Sequence, residues 1–316
     1  MPKVSIITPC YKGERFIGRT IESVLAQTWT DWEYVVVDDG SPDGSVEVVA
    51  AHAAREPRLA LLRQPNGGME NARNSGFAAC SADSRYLLFL DADDCLEPVA
   101  LETLVGYLDD HTQVGMVYCS FSKIDANDRP LVESGQTGGA MRFVPTRFGL
   151  RRLLDSEPET PLEVLASYFQ ALPSTCLFRR AVFEQTQGWD ERFRVSARSD
   201  NDMGLKCALL APVHYYPEPL VRYRKHADNA SLTLTSRDAG GLERKWRTDP
   251  NLTSVQAERV RRAFNFDYLV TSHLQLHGAW EEAGRGHYAK AFRFCLQGMK
   301  KMAQFLILQV VRKRVF

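Results

Sequence analysis

Apolar runs alternate with helically spaced apolar positions along the first 125 residues of this chain. The runs are short and rich in β-branched residues, which is the pattern of strands buried on both faces of a sheet. Between them, apolar residues recur every three or four positions, as on one face of a helix. The predicted strands are 4–8, 33–37, 59–62, 86–90 and 114–121, and the predicted helices are 15–27, 46–55, 69–80 and 99–111.

This alternation predicts an α/β fold, because strands joined by helices at this spacing form right-handed crossovers and a parallel sheet. The first 125 residues therefore read as a Rossmann-like half. From 125 to about 172 the pattern loosens into loops around one or two short helices. Further strands are predicted at 174–178, 213–216 and 220–223, helices at 181–187 and 200–210, and helical structure beyond about 240. We expect three parts: 1–125, 126–240 and a helical extension at 241–316.

Carboxylates follow two of the predicted strands. Asp38 and Asp39 end one strand, and Asp91, Asp93 and Asp94 end another. Parallel strands deliver their carboxyl ends to one edge of the sheet, so both clusters should face the same crevice. Clustered carboxylates suit a hard divalent cation such as Mg²⁺ or Mn²⁺, which would bring a diphosphate with it. For Asp38 and Asp39 a purely structural role in the turn is an equal alternative.

Four other residues are candidates, each with an ordinary alternative. Asp200, at the opening of a helix, is either a general base for a sugar hydroxyl or a helix cap. Arg73 either meets a diphosphate with its planar guanidinium or is a surface arginine. Trp189 is either part of the core or the floor of a sugar site. His226 is either a further ligand for the same metal or a solvated histidine.

Composition excludes several classes of protein. The 39 Lys and Arg residues balance 39 Asp and Glu residues, so no net charge points to nucleic acid, and we expect no nucleic-acid partner. The seven cysteines are scattered without disulfide or metal-ligand spacing, which is typical of reduced thiols in the cytosol. Pro2 and Lys3 lead directly into a strand, and no apolar stretch is long enough to span a bilayer. We therefore expect a cytoplasmic protein.

The segment 284–316 is basic, since no acidic residue follows Glu282. Its residues separate onto two helical faces. One face carries Lys290, Arg293, Gln297, Lys300, Lys301 and Gln304, and the other Phe292, Cys295, Leu296, Met299, Met302 and Leu306. This pattern is typical of an interfacial helix attracted to anionic lipid, which would make the protein peripheral on the inner face of the cell membrane. A helix packed on the domain or on a partner chain is the alternative.

Several short motifs occur together in one order. They are Val4-Ser-Ile-Ile-Thr-Pro-Cys-Tyr11, Val36-Val-Asp-Asp-Gly-Ser41, Asn66-Gly-Gly68, Ala72-Arg-Asn-Ser-Gly76, Leu88-Phe-Leu-Asp-Ala-Asp-Asp94, Gly188-Trp-Asp-Glu191, Asp200-Asn-Asp202 and Val221-Arg-Tyr-Arg-Lys-His226. As a set, over about residues 2 to 232, they resemble the inverting family 2 glycosyltransferases of the GT-A fold. The resemblance implies a Rossmann-like, mixed but mainly parallel sheet flanked by helices. It also implies that 1–125 binds a nucleotide sugar and that 126–240 binds the acceptor.

The resemblance also implies roles for individual residues. The nucleoside diphosphate would be held by Thr8, Pro9, Tyr11, Asp39, Arg73, Asp91 and Ala92. Asp91 and Asp93 would face the ribose and a Mn²⁺ or Mg²⁺ that bridges the phosphates, and Asp200 would be the catalytic base. Asp94, Trp189, Ser199 and Asp202 are further candidates, either for the acceptor or without an assigned role, and Asp94 could join Asp91 and Asp93. In one departure, Ser199 precedes Asp200 where relatives often have Glu.

The implied reaction is a single displacement that transfers one sugar and inverts its anomeric configuration. UDP is the expected nucleotide, and a hydroxyl of a glycan or lipid-linked molecule, as in surface polysaccharide synthesis, is the expected acceptor. The Gln-x-x-Arg-Trp motif of processive polymerases is absent. A nucleotidyltransferase that makes a nucleotide sugar is one alternative, although Thr8-Pro-Cys-Tyr-Lys-Gly13 lacks its Gly-rich basic loop. A catalytically inactive glycan-binding relative is another.

Overall fold

The computed structural model describes residues 4–131, 143–146, 149–167, 172–193, 198–229, 239–265, 292–293, 295–300 and 302–303. The described residues divide into two compact units. One is drawn from Met1–Ala140, Leu154–Thr160 and Gln170–Ala239, and the other from Met141–Leu153, Pro161–Phe169 and Gly240–Phe316. The three-part division at 125 and 240 stays a prediction.

An eight-stranded sheet organises the first unit, in the order β3-β2-β1-β4-β9-β6-β10-β5. Its strands are β1 (Val4–Cys10), β2 (Trp32–Asp38), β3 (Leu59–Arg63), β4 (Tyr86–Phe89), β5 (Cys95–Leu96), β6 (Met116–Ile124), β9 (Cys176–Arg179) and β10 (Val213–Arg224). The first four strands of the order run parallel, as do β6 and β10. β9 is antiparallel to both β4 and β6, and β5 is antiparallel to β10. The predicted mixed, mainly parallel α/β sheet is confirmed.

Helices cover both faces of this sheet. They are α1 (Ile17–Leu25), α2 (Ser45–Ala53), α3 (Met69–Ala79), α4 (Ala100–Asp110), α6 (Arg180–Gln185) and α7 (Ser199–Leu210). The apolar stripes of α1 and α4 pack into one core with Ile6, Val36 and Leu88. On the opposite face α3 lies very close to the sheet, since a Cβ on Gly76 would stand 2.4 Å from Ile7 Cγ2. This close contact fixes the height of α3 above the ends of β1 and β2.

The second unit contains the antiparallel hairpin of β7 (Phe143–Thr146) and β8 (Gly149–Arg152), followed by α5 (Leu162–Ser167). Further along the chain lies α8 (Ala239–Arg247), and the described residues 254–265 are also helical. Arg247 joins these two helical stretches, because its Nη2 donates to Asn265 Oδ1 at 2.6 Å. Apart from the turn at 248–253, the described part of the predicted helical extension is therefore helical.

Two local predictions need correction. The predicted strands at 213–216 and 220–223 form one strand, β10, with register shifts between Tyr216 and Val221. The predicted strand at 174–178 begins as a 3₁₀ turn, Pro173–Thr175, before β9. Ser45 is the first residue of α2 and makes no capping bond. Its hydroxyl instead bonds Asp43 Oδ1 and accepts from Gly13 N, so it joins two loops.

Candidate active site

The acidic residues that follow β2 and β4 lie at one edge of the sheet. β1 runs between these two strands and parallel to both. Just past the strand ends, Asp39 N donates to Cys10 O at 2.8 Å and Leu90 N donates to Ile7 O at 2.9 Å. The chain therefore leaves β2 and β4 on the same side, and this edge is where open α/β sheets bind ligands.

Arg73 is the central cation of this edge. It projects from α3 and is 1% exposed, which excludes the surface arginine that the sequence left open. Its Nη2 donates to Asp91 Oδ1 at 2.8 Å, and its Nη1 lies 3.9 Å from Asp200 Oδ1. The guanidinium stacks over the Trp189 ring with Cζ 4.4 Å from the centroid. Arg73 therefore links the acid after β4 to the acid at the start of α7.

The electrostatics of Arg73 follow from these contacts. Burial disfavours its charged form, but the carboxylates of Asp91, Asp200 and Glu70 outweigh burial and raise the pKa of Arg73 above its ordinary value. Its Nε and Nη1 are buried and have no hydrogen-bond partner among the described residues. Unpaired buried donors are costly, so these two nitrogens of Arg73 are the donors that no described residue satisfies.

Asp200 is the acid best suited to accept a proton at neutral pH. It lies in the first turn of α7, and its side chain is 29% exposed. Burial, then repulsion from Asp91 and Glu70, raises the pKa of Asp200 to about 7, although Arg73 opposes the shift. A base works best when its pKa is near the operating pH, which is the condition that Asp200 meets here.

The three acids after β4 have separate environments. Asp94 is fully buried, where it accepts from Ser174 Oγ at 2.6 Å and from Arg224 N at 3.1 Å. Burial, followed by repulsion from Asp93 and Asp91, raises the pKa of Asp94 well above its ordinary value. Asp93 is part-exposed, and its Oδ2 lies 2.9 Å from His226 Nε2. Asp94 therefore has a structural position, whereas Asp91 and Asp93 face the edge.

Asp39 holds the loop before α3. Its Oδ1 accepts from Gly67 N at 2.9 Å and from Gln64 Nε2 at 2.8 Å, and its Oδ2 accepts from Gly68 N at 2.8 Å. Gly68 has φ +93, a conformation that a residue with a side chain rarely adopts. Asp39 thus has a structural role in this loop, and its predicted contact with a nucleotide stays a prediction.

Comparison with known protein families gives a match that covers more than half of the chain. Residues 5–187 match the family described as Glycosyl transferase family 2. The chain belongs to glycosyl transferase family 2. The resemblance inferred from the motifs is therefore confirmed, and the matched range includes Asp39, Arg73, Asp91 and Asp93 but ends before Asp200.

Curated relatives of this family 2 chain are glycosyltransferases by name. An uncharacterized glycosyltransferase of Nostoc sp. is 35% identical over 236 residues, which cover 74% of this chain and 68% of the relative. The uncharacterized glycosyltransferase EpsJ of Bacillus subtilis is 32% identical over 188 residues, or 58% of this chain. The chain spans only 50% of the length of EpsJ.

Solved structures share the fold of this family 2 chain at low sequence identity. Staphylococcus aureus TarS 1–349 in complex with UDP-GlcNAc has a TM-score of 0.58 at 17% identity, over 94% of this chain and 92% of that one. The mannosyltransferase PcManGT of Pyrobaculum calidifontis, in complex with GDP-Man and Mn²⁺, also has a TM-score of 0.58 at 17% identity. That match covers 100% of this chain and 81% of PcManGT. At this identity the likeness confirms the predicted GT-A fold.

The other predicted nucleotide contacts are unequal in exposure. Thr8 is fully buried and its hydroxyl bonds Tyr34 OH at 2.8 Å, so its side chain does not open onto the edge of the sheet. Pro9 is also buried within β1, whereas Tyr11 is 49% exposed on the loop that follows. The carbonyl oxygen of Ala92 accepts a hydrogen bond from the Thr20 hydroxyl at 2.8 Å. Of this group, Tyr11 has the side chain most accessible to a ligand.

The remaining candidates are mostly buried. Trp189 is 3% exposed, packs against Phe89 and supports Arg73 with its ring face, so it is part of the core. Its predicted place in a sugar site stays a prediction. Ser199 and Asp202 are 5% and 1% exposed, and Asp202 Oδ2 lies 3.5 Å from Lys206 Nζ. Asp202 therefore has its own cation and lies apart from the Arg73 contacts.

Two residues near the site were not singled out from the sequence. Glu70 is 1% exposed and its Oε2 is buried without a hydrogen-bond partner among the described residues. It lies three positions before Arg73, a spacing that places both on one helix face and could have indicated it. Asn229 is 6% exposed and its Nδ2 donates to Asp93 Oδ2 at 3.2 Å. No local pattern distinguishes Asn229 in the sequence.

The residues at the edge fit a divalent cation that the nucleotide shares. In the described part of the chain, no three His, Cys, Asp or Glu side chains are grouped closely enough to hold a metal ion. Mg²⁺ and Mn²⁺ favour oxygen ligands, and Mg²⁺ usually keeps several waters and binds one or two carboxylates plus substrate phosphates. Asp91 and Asp93 supply such carboxylates, so the donor set suits a cation that arrives with a diphosphate.

Proposed function

We propose that this chain is a metal-dependent, inverting glycosyltransferase that moves one sugar from a nucleotide-diphosphate sugar to a hydroxyl group. The observation that carries the proposal is Arg73, held within ion-pair distance of both Asp91 and Asp200. On one side, the Arg73 guanidinium contacts Asp91, one of the acids suited to share a divalent cation with a diphosphate. The other side faces a carboxylate with a pKa of about 7. The Arg73 guanidinium thus lies between the acid proposed for donor binding, Asp91, and the acid proposed to accept the proton, Asp200.

Asp200 would serve as the general base. The acceptor hydroxyl gives its proton to the Asp200 carboxylate while its oxygen forms a bond to the anomeric carbon. The bond from that carbon to the diphosphate oxygen breaks in the same step, and the electron pair leaves with the nucleoside diphosphate. Because the attack and departure occur on opposite faces, the anomeric configuration inverts.

Arg73 and the acids after β4 would bind the leaving group. The unpaired Nη1 and Nε of Arg73 are donors suited to phosphate oxygens, which accept charge-assisted hydrogen bonds. Asp91 and Asp93, with His226 as the further ligand predicted from the sequence, would hold Mn²⁺ or Mg²⁺. That cation would neutralise the negative charge that develops on the departing diphosphate.

Two proteins of similar fold support a nucleotide sugar as the donor, and TarS supports UDP as its nucleotide. TarS was solved with UDP-GlcNAc and with UDP, and PcManGT with GDP-Man and Mn²⁺. We propose a UDP-sugar as the donor of this chain and a glycan or lipid-linked hydroxyl as its acceptor. An assay of donor turnover separates this reaction from nucleotide-sugar synthesis: release of UDP supports the proposal, whereas release of pyrophosphate contradicts it.

Donor binding should depend on the metal and on Asp93. A UDP-sugar at about 100 times its Kd, with Mn²⁺, should raise the Tm of the wild-type protein by roughly 5 °C, because a ligand of the folded state alone stabilises it. Asp93→Asn should abolish the part of this shift that requires Mn²⁺. The measurement is a thermal-shift titration of nucleotide sugars with and without Mn²⁺.

The matched control for this titration is Asp83→Asn, since Asp83 is an exposed acid outside the site. It should keep the full Mn²⁺-dependent shift. An Asp93→Asn protein that retains the wild-type shift would remove Asp93 from the metal site. A wild-type protein without a shift for any nucleotide sugar would contradict the proposed function itself.

Membrane contact through 284–316 is a further part of the proposal. Most of this segment lies outside the described residues, but Phe292, Leu296 and Met299 are 66%, 50% and 60% exposed. Within the described residues, no helix is long and apolar enough to cross a membrane. Deletion of 284–316 should abolish co-sedimentation with liposomes that contain anionic lipid. Unchanged co-sedimentation would refute this contact and leave the transferase proposal intact.

A further inference from the structure

Asn74 holds the backbone of Trp189 with both ends of its side-chain amide. Its Oδ1 accepts from Trp189 N at 2.8 Å, and its Nδ2 donates to Trp189 O at 2.9 Å. An amide that bonds both the N–H and the C=O of one residue imitates the pairing between antiparallel strands. Asn74 directly follows Arg73 on α3, so one helix carries both the guanidinium and the amide that holds the aromatic residue beneath it.

The turn that contains Trp189 is shaped for this contact. Gly188 has φ +77, in the left-handed region that favours glycine. A Cβ on Gly188 would also stand only 2.7 Å from Asn74 Oδ1, which is too close for a side chain. Further along the turn, Glu191 Oε1 accepts from Asn71 Nδ2 and from Asn74 Nδ2, each at 3.2 Å. The helix α3 therefore holds this turn at Trp189 and again at Glu191.

The same turn is bonded to α7, the helix that carries Asp200. Lys206 lies in α7, and its Nζ donates to Gly188 O at 2.6 Å. The turn is thus bonded to α3 on one side and to α7 on the other. Because both helices are bonded to one short turn, it sets the spacing at which Arg73 Nη1 lies 3.9 Å from Asp200 Oδ1.

The backbone and the packing of Trp189 position its ring. The indole Nε1 is buried and has no hydrogen-bond partner among the described residues, so no polar contact of the ring fixes it. The ring lies nearly perpendicular to Phe89, with the centroids 5.3 Å apart, and its face lies 4.4 Å from Arg73 Cζ. A guanidinium is attracted to an aromatic face. A shift of the Trp189 backbone would therefore also shift the surface that supports Arg73.

We propose that Asn74 is a positioning residue for sugar transfer, which fixes Trp189 beneath Arg73 and so sets the distance from Arg73 to Asp200. This inference rests on the proposed function and adds a residue to it. The hydrogen bonds of Asn74 go to the turn, so it acts through Trp189. Such an effect on rate is large, because a misplacement of about 1 Å caused by a distant substitution costs about 100-fold.

Asn74→Ala should lower kcat about 10–100-fold and leave the Kd of UDP within about threefold of wild type. Transfer slows because the Arg73 guanidinium loses its fixed position beside Asp200. Donor affinity persists because the 2.8 Å bond from Arg73 to Asp91 does not involve the turn. The measurements are transfer of label from a UDP-sugar at saturating substrate and calorimetric titration of UDP. Ser75→Ala, at the next position on α3, is the control and should keep the wild-type kcat.

The pH profile separates positioning from a loss of structure. Burial, then repulsion from Asp91 and Glu70, raises the pKa of Asp200 to about 7, and the positive charge of Arg73 opposes this rise. If Arg73 moves away from Asp200, that opposition weakens and the pKa of Asp200 rises further. The increase of kcat/KM with pH should therefore occur at higher pH in Asn74→Ala than in wild type. A variant that only loses part of its folded population keeps the wild-type profile.

Gly188→Ala disturbs the same contact from the other side. Its Cβ would push the turn away from Asn74 Oδ1, and alanine is strained at φ +77. We expect the same two changes as in Asn74→Ala, a lower kcat and a rise of kcat/KM at higher pH. Gly106→Ala is the matched control, because a Cβ on Gly106 would meet open space. It should keep both the kcat and the pH profile of wild type.

Two results would overturn the inference. One is a wild-type kcat in Asn74→Ala, and the other is a reduced kcat with an unmoved pH profile in either variant that folds. Urea unfolding identifies a variant that loses the fold. If both Asn74→Ala and Gly188→Ala fail to fold, the contact is structural and the inference is wrong.

Failure of this inference is distinguishable from failure of the proposed function. If the wild-type chain transfers sugar and Asn74→Ala transfers it equally fast with the same pH profile, only the role of Asn74 is wrong. If the wild-type chain releases no nucleoside diphosphate from any nucleotide sugar, the proposed function fails first.

Discussion

Replacing Asp200 with asparagine should lower the rate of sugar transfer about 10²–10⁴-fold and leave donor affinity within about threefold of wild type. The physical reason is that an amide of the same shape cannot accept the acceptor's proton. Donor binding should persist because the direct 2.8 Å bond from Arg73 to Asp91 does not involve Asp200. The measurements are transfer of label from a UDP-sugar to saccharide acceptors and calorimetric titration of UDP.

Asp202→Asn is the matched control for this experiment. Asp202 lies on the same helix two positions away, but its partner is Lys206 at 3.5 Å. Asp202→Asn should keep the transfer rate within about tenfold of wild type and should leave the mechanism of transfer unchanged. Full-rate transfer by Asp200→Asn would refute the base assignment. An equal loss in both variants would assign the effect to the helix and not to one carboxylate.

The same assignment fixes the pH dependence of transfer. A base must be ionised to accept a proton, and burial, Asp91 and Glu70 raise the pKa of Asp200 to about 7 despite the opposing charge of Arg73. The value of kcat/KM should therefore rise about tenfold per pH unit below 7 and level off above it. The residual activity of Asp200→Asn should lack this rise of kcat/KM with pH, and Asp202→Asn should keep it.

Arg224→Met should lower the free energy of unfolding by about 3 kcal/mol, because it removes a fully buried charge from its partners. The guanidinium donates from Nε to Asp93 O at 2.8 Å and pairs through Nη1 with Asp128 Oδ1 at 2.5 Å. Methionine fills a similar volume but leaves the carbonyl of Asp93 without this donor. The measurement is the urea midpoint of unfolding together with its slope.

Arg222→Met is the control, since Arg222 lies on the same strand and is 36% exposed. Its partner Glu97 lies 3.5 Å away and is 35% exposed. Part-exposed ion pairs contribute little, so this variant should lose about 1 kcal/mol or less. If both variants lost the same free energy of unfolding, the loss would come from any substitution in β10. The buried contacts of Arg224 would then not be its cause.

The sequence predicted the strands of the first half closely because their residues are apolar on both faces. β1, β2 and β4 differ from the predicted bounds by one or two residues. The sequence did not predict that β9 lies between β4 and β6. That position depends on backbone pairing between residues far apart in the chain, such as Leu87 with Phe178, and no local pattern encodes it.

Only part of the candidate site could be predicted, because the rest of it depends on packing between distant residues. The placement of Asp39 and Asp91 at one edge follows from parallel strand direction alone. Adjacency in sequence grouped Asp94 with Asp91 and Asp93, but the turn after β4 directs Asp94 inward to Ser174. The burial of Arg73 and the contact of Asn229 with Asp93 both depend on tertiary packing, so residue type and spacing could not reveal them.

The antiparallel strand β9 has a consequence for the order in which the protein is built. On the ribosome, β4 and β6 emerge well before β9. β4 gains its second neighbour only when the chain has been made as far as Arg179, and β6 gains its second neighbour only with β10. During that interval each has a bare edge that can pair with another nascent chain, which is a route to aggregation. The sheet that carries the acids after β2 and β4 is thus complete only when the chain has been synthesised through β10.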